Sequence, residues 1–209
     1  MQKPFKVGLE AHDLACQRGG RTLFQGLHFA LAPGEALLVS GPNGAGKTSL
    51  LRQIAGLLPL ASGQLAVPGA APDTPLPELC HYVGHSDAAK SALSVRENLA
   101  FWADFFGRDG RSLNEALDAF GLTPLANLPA GLLSAGQKRK LALSRLFAAS
   151  RPIWLLDEPS VSLDAASVAR LDDALRGHLK AGGIAVVSSH LPLKTMFARK
   201  LALGLERAA

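Results

Sequence analysis

Cysteine, tyrosine and long apolar runs are scarce in this sequence of 209 residues. Its two cysteines, Cys16 and Cys80, are too few for a disulfide framework or a structural zinc site. No window of about 18 apolar residues occurs, so we expect no membrane-spanning helix. The N-terminus lacks the apolar core of a signal peptide, and we find no internal repeat. We therefore expect one globular domain over residues 1–209.

The chain has few acidic residues relative to basic ones, with a formal net charge of +5. The densest basic cluster is Lys138-Arg139-Lys140 with Arg145, on one predicted helix. We interpret it as a solvated helix face; the alternative is a surface close to a membrane or a nucleotide. Nucleic acid is disfavoured as a partner because aromatic residues do not alternate with the basic ones.

A glycine-rich segment at 41–48 matches the pattern G-x-x-x-x-G-K-[ST] without a mismatch. A predicted buried strand precedes it and a predicted helix follows it, which favours a phosphate-binding loop over an ordinary glycine turn. Lys47 is expected to reach the β- and γ-phosphates as a catalytic cation, and Thr48 to hold Mg²⁺. The residues expected to contact the nucleotide are Gly41, Pro42, Asn43, Gly44, Ala45, Gly46, Lys47, Thr48 and Ser49.

A second candidate site lies at the end of the apolar run 152–156, which reads as a buried parallel strand. Two acidic residues follow it, at the strand end where α/β sheets bind ligands. Asp157 is the candidate ligand of Mg²⁺, and Glu158 is the candidate general base that polarises an attacking water.

A third motif, Leu133-Ser134-Ala135-Gly136-Gln137, precedes a helix with periodic apolar residues. It resembles the signature sequence of the ATP-binding cassette (ABC) ATPases. Ser162-Leu163-Asp164 is similar to the D-loop of that family, and His190 to its switch histidine. The five motifs occur in the order typical of the family, so the resemblance covers nearly the whole chain.

The resemblance implies an α/β fold: a P-loop NTPase core with an antiparallel β layer and a helical insert at about 86–149. It implies ATP and Mg²⁺ as ligands, and His190 as a catalytic residue. In the family, the signature binds ATP held by the other subunit. The implied assembly is therefore a homodimer with two ATP molecules between the cassettes, contacted by Ser134, Gly136, Gln137 and Asp164.

Hydrophobic patterns agree with this plan. Residues 1–36 predict antiparallel strands with a turn at Gly19-Gly20, and residues 93–149 predict helices. Further strands are predicted from Ile153 and Ile184, with a last strand near 201–205. We interpret the aromatic cluster around Phe105 as core, or in part as the lining of a docking groove.

Two positions depart from the family pattern. His85 stands where ABC proteins usually carry a glutamine that contacts Mg²⁺ or its water, and we assign it a catalytic role by resemblance. The first hairpin has no aromatic residue to stack on adenine. Arg18 either stacks its guanidinium plane on the base or points to solvent, and the sequence does not distinguish these alternatives.

The chain is similar to one branch of the family, the ATP-binding subunits of the cytochrome c maturation heme exporter of Gram-negative bacteria. The similarity lies in Gly84-His85, residues 21–24, the signature and the segment 190–193. This resemblance implies a polytopic membrane subunit and heme-handling membrane proteins as partners. It also implies ATP-driven release of a heme-loaded chaperone, and a peripheral location on the cytoplasmic face of the inner membrane. The alternatives are a subunit of another ABC transporter, or a soluble ABC-type ATPase acting on nucleic acid or ribosomes.

Direct heme ligation is not expected. Cys80-His81 and His85 supply ligand-type side chains, but the C-x-x-C-H attachment motif is missing. Heme is therefore expected to be handled by the partners.

Overall fold

The computed structural model of the chain describes residues 4–107, 109, 111–190 and 193–204. Its strands are β1 (Leu9–Arg18), β2 (Arg21–Leu31), β3 (Ala36–Ser40), β4 (Ser62–Ala66), β5 (Cys80–Val83), β6 (Ile153–Asp157), β7 (Ile184–Ser188) and β8 (Arg199–Ala202). Its α-helices are α1 (Lys47–Ile54), α2 (Val95–Phe105), α3 (Leu113–Ala119), α4 (Ala135–Ala148) and α5 (Ala165–Lys180).

The central sheet is parallel, with the strand order β5-β6-β7-β3-β8. Every residue of β6 and β7 is buried, as expected for apolar runs covered on both faces. The carboxyl ends of β3, β5, β6 and β7 therefore meet at one edge of the sheet. This edge carries the phosphate loop, the His85 segment, Asp157 and His190.

The smaller sheet is antiparallel, with the order β2-β1-β4. Its hairpin turns at Gly19 and Gly20, which both have positive φ, the conformation that a two-residue hairpin loop requires. Buried residues of β1 and β2 form one core with β3 and α1, including Leu9, Leu14, Leu37 and Leu50. This core fixes the hairpin beside the phosphate loop.

The helical segment between β5 and β6 has a core of its own, built from α2, α3 and α4 around Leu99, Leu117 and Leu141. Helix α2 begins with a capping box between Ser94 and Glu97. Helix α5 packs on the parallel sheet through Leu171 and Leu175. Among the described residues, no helix is both long and apolar enough to cross a membrane.

The structure differs from the sequence-based expectations in three respects. Helix α5 was not among the predicted elements. The last strand is β8, which begins before the predicted range; Leu205, at the end of that range, lies outside the described residues. The interpretation of Phe105 as core is wrong: the residue is 68% exposed, and it is not part of the core of the helical segment.

Candidate active site

The loop between β3 and α1 has the shape expected of a phosphate-binding loop. Gly41 and Gly46 have φ values of 135° and 103°, which side chains disfavour. A Cβ atom on Gly41 would lie 2.3 Å from the carbonyl oxygen of Leu203, and one on Gly46 would lie 3.0 Å from the ring of Phe24. Gly41 is therefore required by close packing and by its backbone conformation, and Gly46 is favoured by its backbone conformation and a tight contact.

Helix α1 begins at this loop without a side-chain cap. Its N-cap residue, Gly46, has no side chain to accept a hydrogen bond, whereas α4 and α5 are capped by Ser134 and Asp164. The first N–H groups of α1 are thus left for a ligand, and the helix dipole favours an anionic one. Lys47 adds a cation at the same place: its Nζ donates to the carbonyl oxygens of Gly41 and Pro42, at 2.7 and 3.0 Å.

Asp157 at the end of β6 is a buried carboxylate held by two hydroxyl groups. Thr48 Oγ1 donates to its Oδ2 at 2.7 Å, and Ser188 Oγ donates to its Oδ1 at 2.6 Å. Asp157 is only 2% exposed. A carboxylate beside a threonine hydroxyl is an oxygen donor set that suits Mg²⁺.

Glu158 has a strained backbone and an unsatisfied side chain. Its φ of 48° is unusual for a residue with a side chain. Its Oε2 accepts from the backbone N–H of His190 at 3.2 Å. Its Oε1 is buried and has no hydrogen-bond partner among the described residues; the nearest cationic candidate, His190 Nε2, lies 3.5 Å away without hydrogen-bond geometry. A buried carboxylate oxygen in this state can accept a hydrogen bond from a water.

The phosphate loop, Asp157 and Glu158 line one cleft of about 350 Å³. Its lining residues are Arg18, Leu23, Asn43, Gly44, Gly46, Lys47, Thr48, Ser49, Asp157 and Glu158. Arg18 lies at the rim of this cleft and is itself exposed, so both alternatives for its side chain stay open.

The signature residues form a second helix terminus. Ser134 Oγ accepts from the N–H of Gln137 at 3.2 Å, and Gln137 Oε1 accepts from the N–H of Ser134 at 2.9 Å, which closes a capping box. Gly136 is packed so closely that a Cβ atom would lie 2.7 Å from the carbonyl oxygen of Ser162. None of the signature residues is among the described residues that line the cleft.

Asp164 joins the D-loop to the signature helix. It caps α5 by accepting from the N–H of Ser167 at 2.7 Å, and its other oxygen accepts from Lys140 Nζ at 2.9 Å. The hydrogen bonds from Lys140 and Ser167 hold the pKa of the Asp164 carboxyl well below its usual range. The signature and the D-loop therefore form one surface, separate from the cleft.

Comparison with known proteins agrees with this geometry. The family model described as ABC transporter matches residues 24–161. The chain belongs to the ABC transporter family. It is an ABC-type ATPase subunit, which accounts for a phosphate loop and a signature in one chain.

The ABC relatives cover nearly the whole chain. The cytochrome c biogenesis ATP-binding export protein CcmA of Chelativorans sp. is 50% identical over 197 residues, covering 94% of this chain and 98% of the relative. The protein of the same name from Rhodospirillum rubrum is 52% identical over 195 residues, covering 91% of this chain and 83% of the relative.

Solved ABC structures confirm the predicted α/β fold class. A structure described as an ABC transporter ATP-binding protein from Pyrococcus furiosus has a TM-score of 0.79 to this chain at 24% identity. The match covers 94% of this chain and 97% of that one.

The two histidines assigned by resemblance occupy different environments in this ABC fold. His190 lies against Glu158, as described above. His85 is exposed just after β5 and, among the described residues, makes no hydrogen bond. It is not a lining residue of the cleft. Leu191 and Pro192, which contributed to the resemblance, lie outside the described residues.

The interpretation of the basic cluster on α4 as a solvated face is wrong for two of its members. Arg139 and Arg145 are each only 4% exposed. The guanidinium of Arg145 lies 4.4 Å from the ring centre of Trp102, and burial lowers its pKa to about 10. A charge pattern on a helix cannot show which side chains meet carbonyl oxygens or rings of other elements.

Sequence reasoning missed Ser188 and Arg139. Ser188 ends a strand that the sequence predicted, but only the pairing of β7 with β6 places it beside Asp157. Arg139 had no comparable signal in the sequence.

His81 and Cys80, which have side chains of the type that ligates heme, are buried. The His81 ring is hydrogen-bonded to the carbonyl oxygen of Ala149 at 2.8 Å, and burial lowers its pKa to about 3. Burial raises the pKa of the Cys80 thiol to about 12.

Proposed function

We propose that this chain hydrolyses ATP to power a membrane exporter required for cytochrome c biogenesis. The observation that carries the hydrolytic part is that Glu158 lines the same cleft as the phosphate loop, while its Oε1 has no hydrogen-bond partner among the described residues. The physiological part rests on the CcmA relatives, about half identical to it over almost the full length of both chains. Residues 1–209 act as one ATPase domain in this proposal, with a helical insert at about 86–149.

The phosphate loop binds the triphosphate of ATP. The uncapped N–H groups of α1 and the loop N–H groups bind the β-phosphate, since Gly41 and Gly46 allow close approach. Lys47 turns from the loop carbonyl oxygens to the β- and γ-phosphates, where it offsets developing negative charge.

Thr48, through its hydroxyl, and Asp157, through its carboxylate, would hold Mg²⁺. Bound there, the ion would supply positive charge that offsets the charge of the phosphates. Among the described residues, the hydrogen bonds that the buried Asp157 carboxylate accepts come from hydroxyl groups, so its negative charge is available to a cation.

Glu158 acts as the general base. A water that donates to Oε1 attacks the γ-phosphorus, its proton passes to the carboxylate, and the bond to the β-phosphate oxygen breaks to give ADP and phosphate. His190 keeps the carboxylate oriented through its backbone N–H, and its Nε2 lies 3.5 Å from Oε1, so its ring is the candidate contact for the γ-phosphate. His85 takes the role of the glutamine that the family usually carries.

The signature and D-loop residues contact ATP bound to a second copy of the chain. This surface comprises Ser134, Gly136, Gln137 and Asp164. It does not face the cleft of its own chain, which supports a head-to-tail dimer that closes on two ATP molecules.

The partners in this proposal are a polytopic membrane subunit and heme-handling membrane proteins, and hydrolysis releases a heme-loaded chaperone. The chain binds peripherally at the cytoplasmic face of the inner membrane and does not itself ligate heme. Nucleic acid is not a partner.

A strain that lacks this gene tests the physiological part. Wild-type chain supplied in trans should restore heme-stained c-type cytochromes, and Glu158→Gln should not, although it accumulates equally. The tagged chain should co-purify with a polytopic membrane protein. Normal cytochrome c levels in the deletion strain would contradict the assignment to this exporter while leaving the ATPase chemistry intact.

A further inference from the structure

Arg139, in the second turn of α4, places a buried guanidinium group between two loops of the active-site edge. It donates five hydrogen bonds. Nη2 donates to the carbonyl oxygens of Asp157 and Glu158, at 2.7 and 2.8 Å. Nε donates to the carbonyl oxygen of Pro159 at 3.2 Å, and Nη1 to that of Gly84 at 2.7 Å. Four of the five hydrogen bonds of this side chain therefore go to backbone carbonyl oxygens.

The two loops follow neighbouring strands. Gly84 and Asp87 come after β5 and flank the exposed His85; Nη1 of Arg139 also lies 3.3 Å from Asp87 Oδ1. The second loop comes after β6. A single planar group with five fixed donors can hold both loops at once, and a lysine ammonium has too few donors and the wrong shape for this. Loss of the guanidinium would leave several buried carbonyl oxygens without a donor.

Glu158 depends on this arrangement because its backbone is held in an unfavourable conformation. Its N–H donates to the carbonyl oxygen of Ser188 at 3.0 Å and to Ser188 Oγ at 3.1 Å. Its carbonyl oxygen accepts from Arg139. A positive φ at a glutamate is an unfavourable backbone conformation and persists only when neighbouring groups enforce it. Ser188 and Arg139 enforce it from opposite ends of the residue.

We propose that Arg139 is a positioning residue, which holds Glu158 and the Gly84–Asp87 segment in working geometry from the signature helix. The proposal rests on the role of Glu158 given under Proposed function. Arg139 lies outside the nucleotide cleft, so it acts on the hydrolysis step and not on the binding of ATP to the phosphate loop.

Arg145 provides a matched control. It lies on the same helix and is equally buried, but its Nε donates to the carbonyl oxygen of Ala142 and its guanidinium packs on Trp102. Among the described residues, none of its hydrogen bonds goes to either loop, although its charge interacts electrostatically with Asp87. Loss of Arg145 should lower thermal stability and leave the catalytic rate of the folded protein unchanged.

The experiment measures kcat and the ATP dissociation constant of the purified full chain as wild type, Arg139→Gln, Arg139→Lys, Arg145→Gln and Glu158→Gln. Arg139→Gln should lower kcat by roughly 10- to 100-fold with ATP affinity within about threefold of wild type, since a displaced base costs rate and not binding. Arg139→Lys should recover part of the rate. Arg145→Gln should stay within about twofold of the wild-type kcat.

A second comparison distinguishes positioning from a general loss of structure. Adding Arg139→Gln to Glu158→Gln should change the residual single-turnover rate by less than about threefold, because the group that Arg139 positions is already inactive. If Arg139→Gln does not fold, Arg139→Lys tests the proposal instead. A lower kcat at unchanged ATP affinity in Arg139→Lys supports the proposal, and an unchanged kcat overturns it.

Three outcomes overturn the role of Arg139. They are an unchanged kcat in folded Arg139→Gln, an equal loss of ATP affinity and kcat, and a matching kcat loss in Arg145→Gln. If wild-type turnover persists in Glu158→Gln, the proposed function itself fails. An active Arg139→Gln beside an inactive Glu158→Gln refutes only the further inference.

Discussion

Thr48 and Asp157 are joined by a hydrogen bond of 2.7 Å, from the hydroxyl of the first turn of α1 to the carboxylate at the end of β6. This contact connects the two motifs that the sequence places far apart. It also pairs a neutral donor with a buried carboxylate that has no cationic side chain hydrogen-bonded to it among the described residues. A divalent cation would be coordinated by both groups in exchange for that hydrogen bond.

Thr48→Val removes this hydroxyl while keeping the shape of the side chain. We expect ATP affinity in the presence of Mg²⁺ to fall by about tenfold, and affinity in EDTA to stay unchanged, because the metal loses one protein ligand. Fluorescent-nucleotide titrations in both buffers measure this. The matched control is Thr195→Val, which removes a similar buried hydrogen bond to Asp172, of 2.9 Å, away from the cleft. Equal losses in Mg²⁺ and EDTA would argue against a metal role for Thr48.

Glu158→Gln keeps the shape of the side chain but removes the basic oxygen. We expect ATP to bind normally and turnover to fall by at least about 100-fold, because the attacking water loses its proton acceptor. ATP should then hold the chain in a closed dimer, visible by size-exclusion chromatography. Lys47→Ala is the contrasting variant: it should weaken ATP binding and turnover together, since a cation on the phosphates is lost. Normal turnover by Glu158→Gln would exclude it as the base.

Ser134→Arg tests whether the signature serves a second copy of the chain. The arginine should block hydrolysis in the dimer while the monomer still binds ATP at its own phosphate loop, because the signature lies outside that cleft. Mixing Ser134→Arg with Lys47→Ala chains should leave one of the two sites of a mixed dimer intact and restore part of the turnover. If Ser134→Arg monomers lose as much ATP affinity as Lys47→Ala monomers, the two-chain site is wrong.

His85→Gln restores the residue that the family usually carries at this position. The amide oxygen of a glutamine accepts a hydrogen bond from a water, as a neutral imidazole nitrogen does. The variant should therefore keep its ATPase activity at pH 8 within about twofold of wild type. Loss of ATPase activity with an intact fold and intact ATP binding would show that His85 does not replace the glutamine.

His178 makes folding stability depend on pH. Its ring stacks on Trp154 with centroids 3.9 Å apart, and burial lowers its pKa to about 4. The unfolded state, with a pKa of about 6.5, binds the proton first, so the free energy of unfolding should decrease as the pH falls from about 6.5 towards 4. The slope should be up to about 1.4 kcal/mol per pH unit for this one group.

Urea unfolding between pH 4.5 and 7.5 measures that slope. His178→Phe should unfold more easily at pH 7.5, because the carbonyl oxygen of Ile184 loses its 3.1 Å contact with the ring. The variant should also lose less stability on acidification. A wild-type slope retained in His178→Phe would assign the effect to other groups, among them buried His81.

Contiguous motifs could be located from the sequence because their chemistry is local. The phosphate loop needs adjacent glycines, a lysine and a helix start, and all of them lie within residues 41–48. Asp157 and Glu158 were predicted at the carboxyl end of a parallel strand, and β6 ends there. The apolar runs of β6 and β7 likewise predicted buried strands, since strands covered on both faces need no alternation.

Contacts between distant segments were decided only by the tertiary structure. Phe105 was predicted to lie in the core but is exposed. The helical spacing of apolar residues does not show whether another element covers that face of the helix. Arg139 was predicted to be solvated, but its guanidinium donates to carbonyl oxygens of two loops. These loops are close to each other because β5 and β6 are neighbouring strands. The sequence by itself thus determined which chemical groups this protein has. The packing of α4 and β7 against β6 determined how Glu158 is held, because a strained backbone is maintained only by partners remote in the chain.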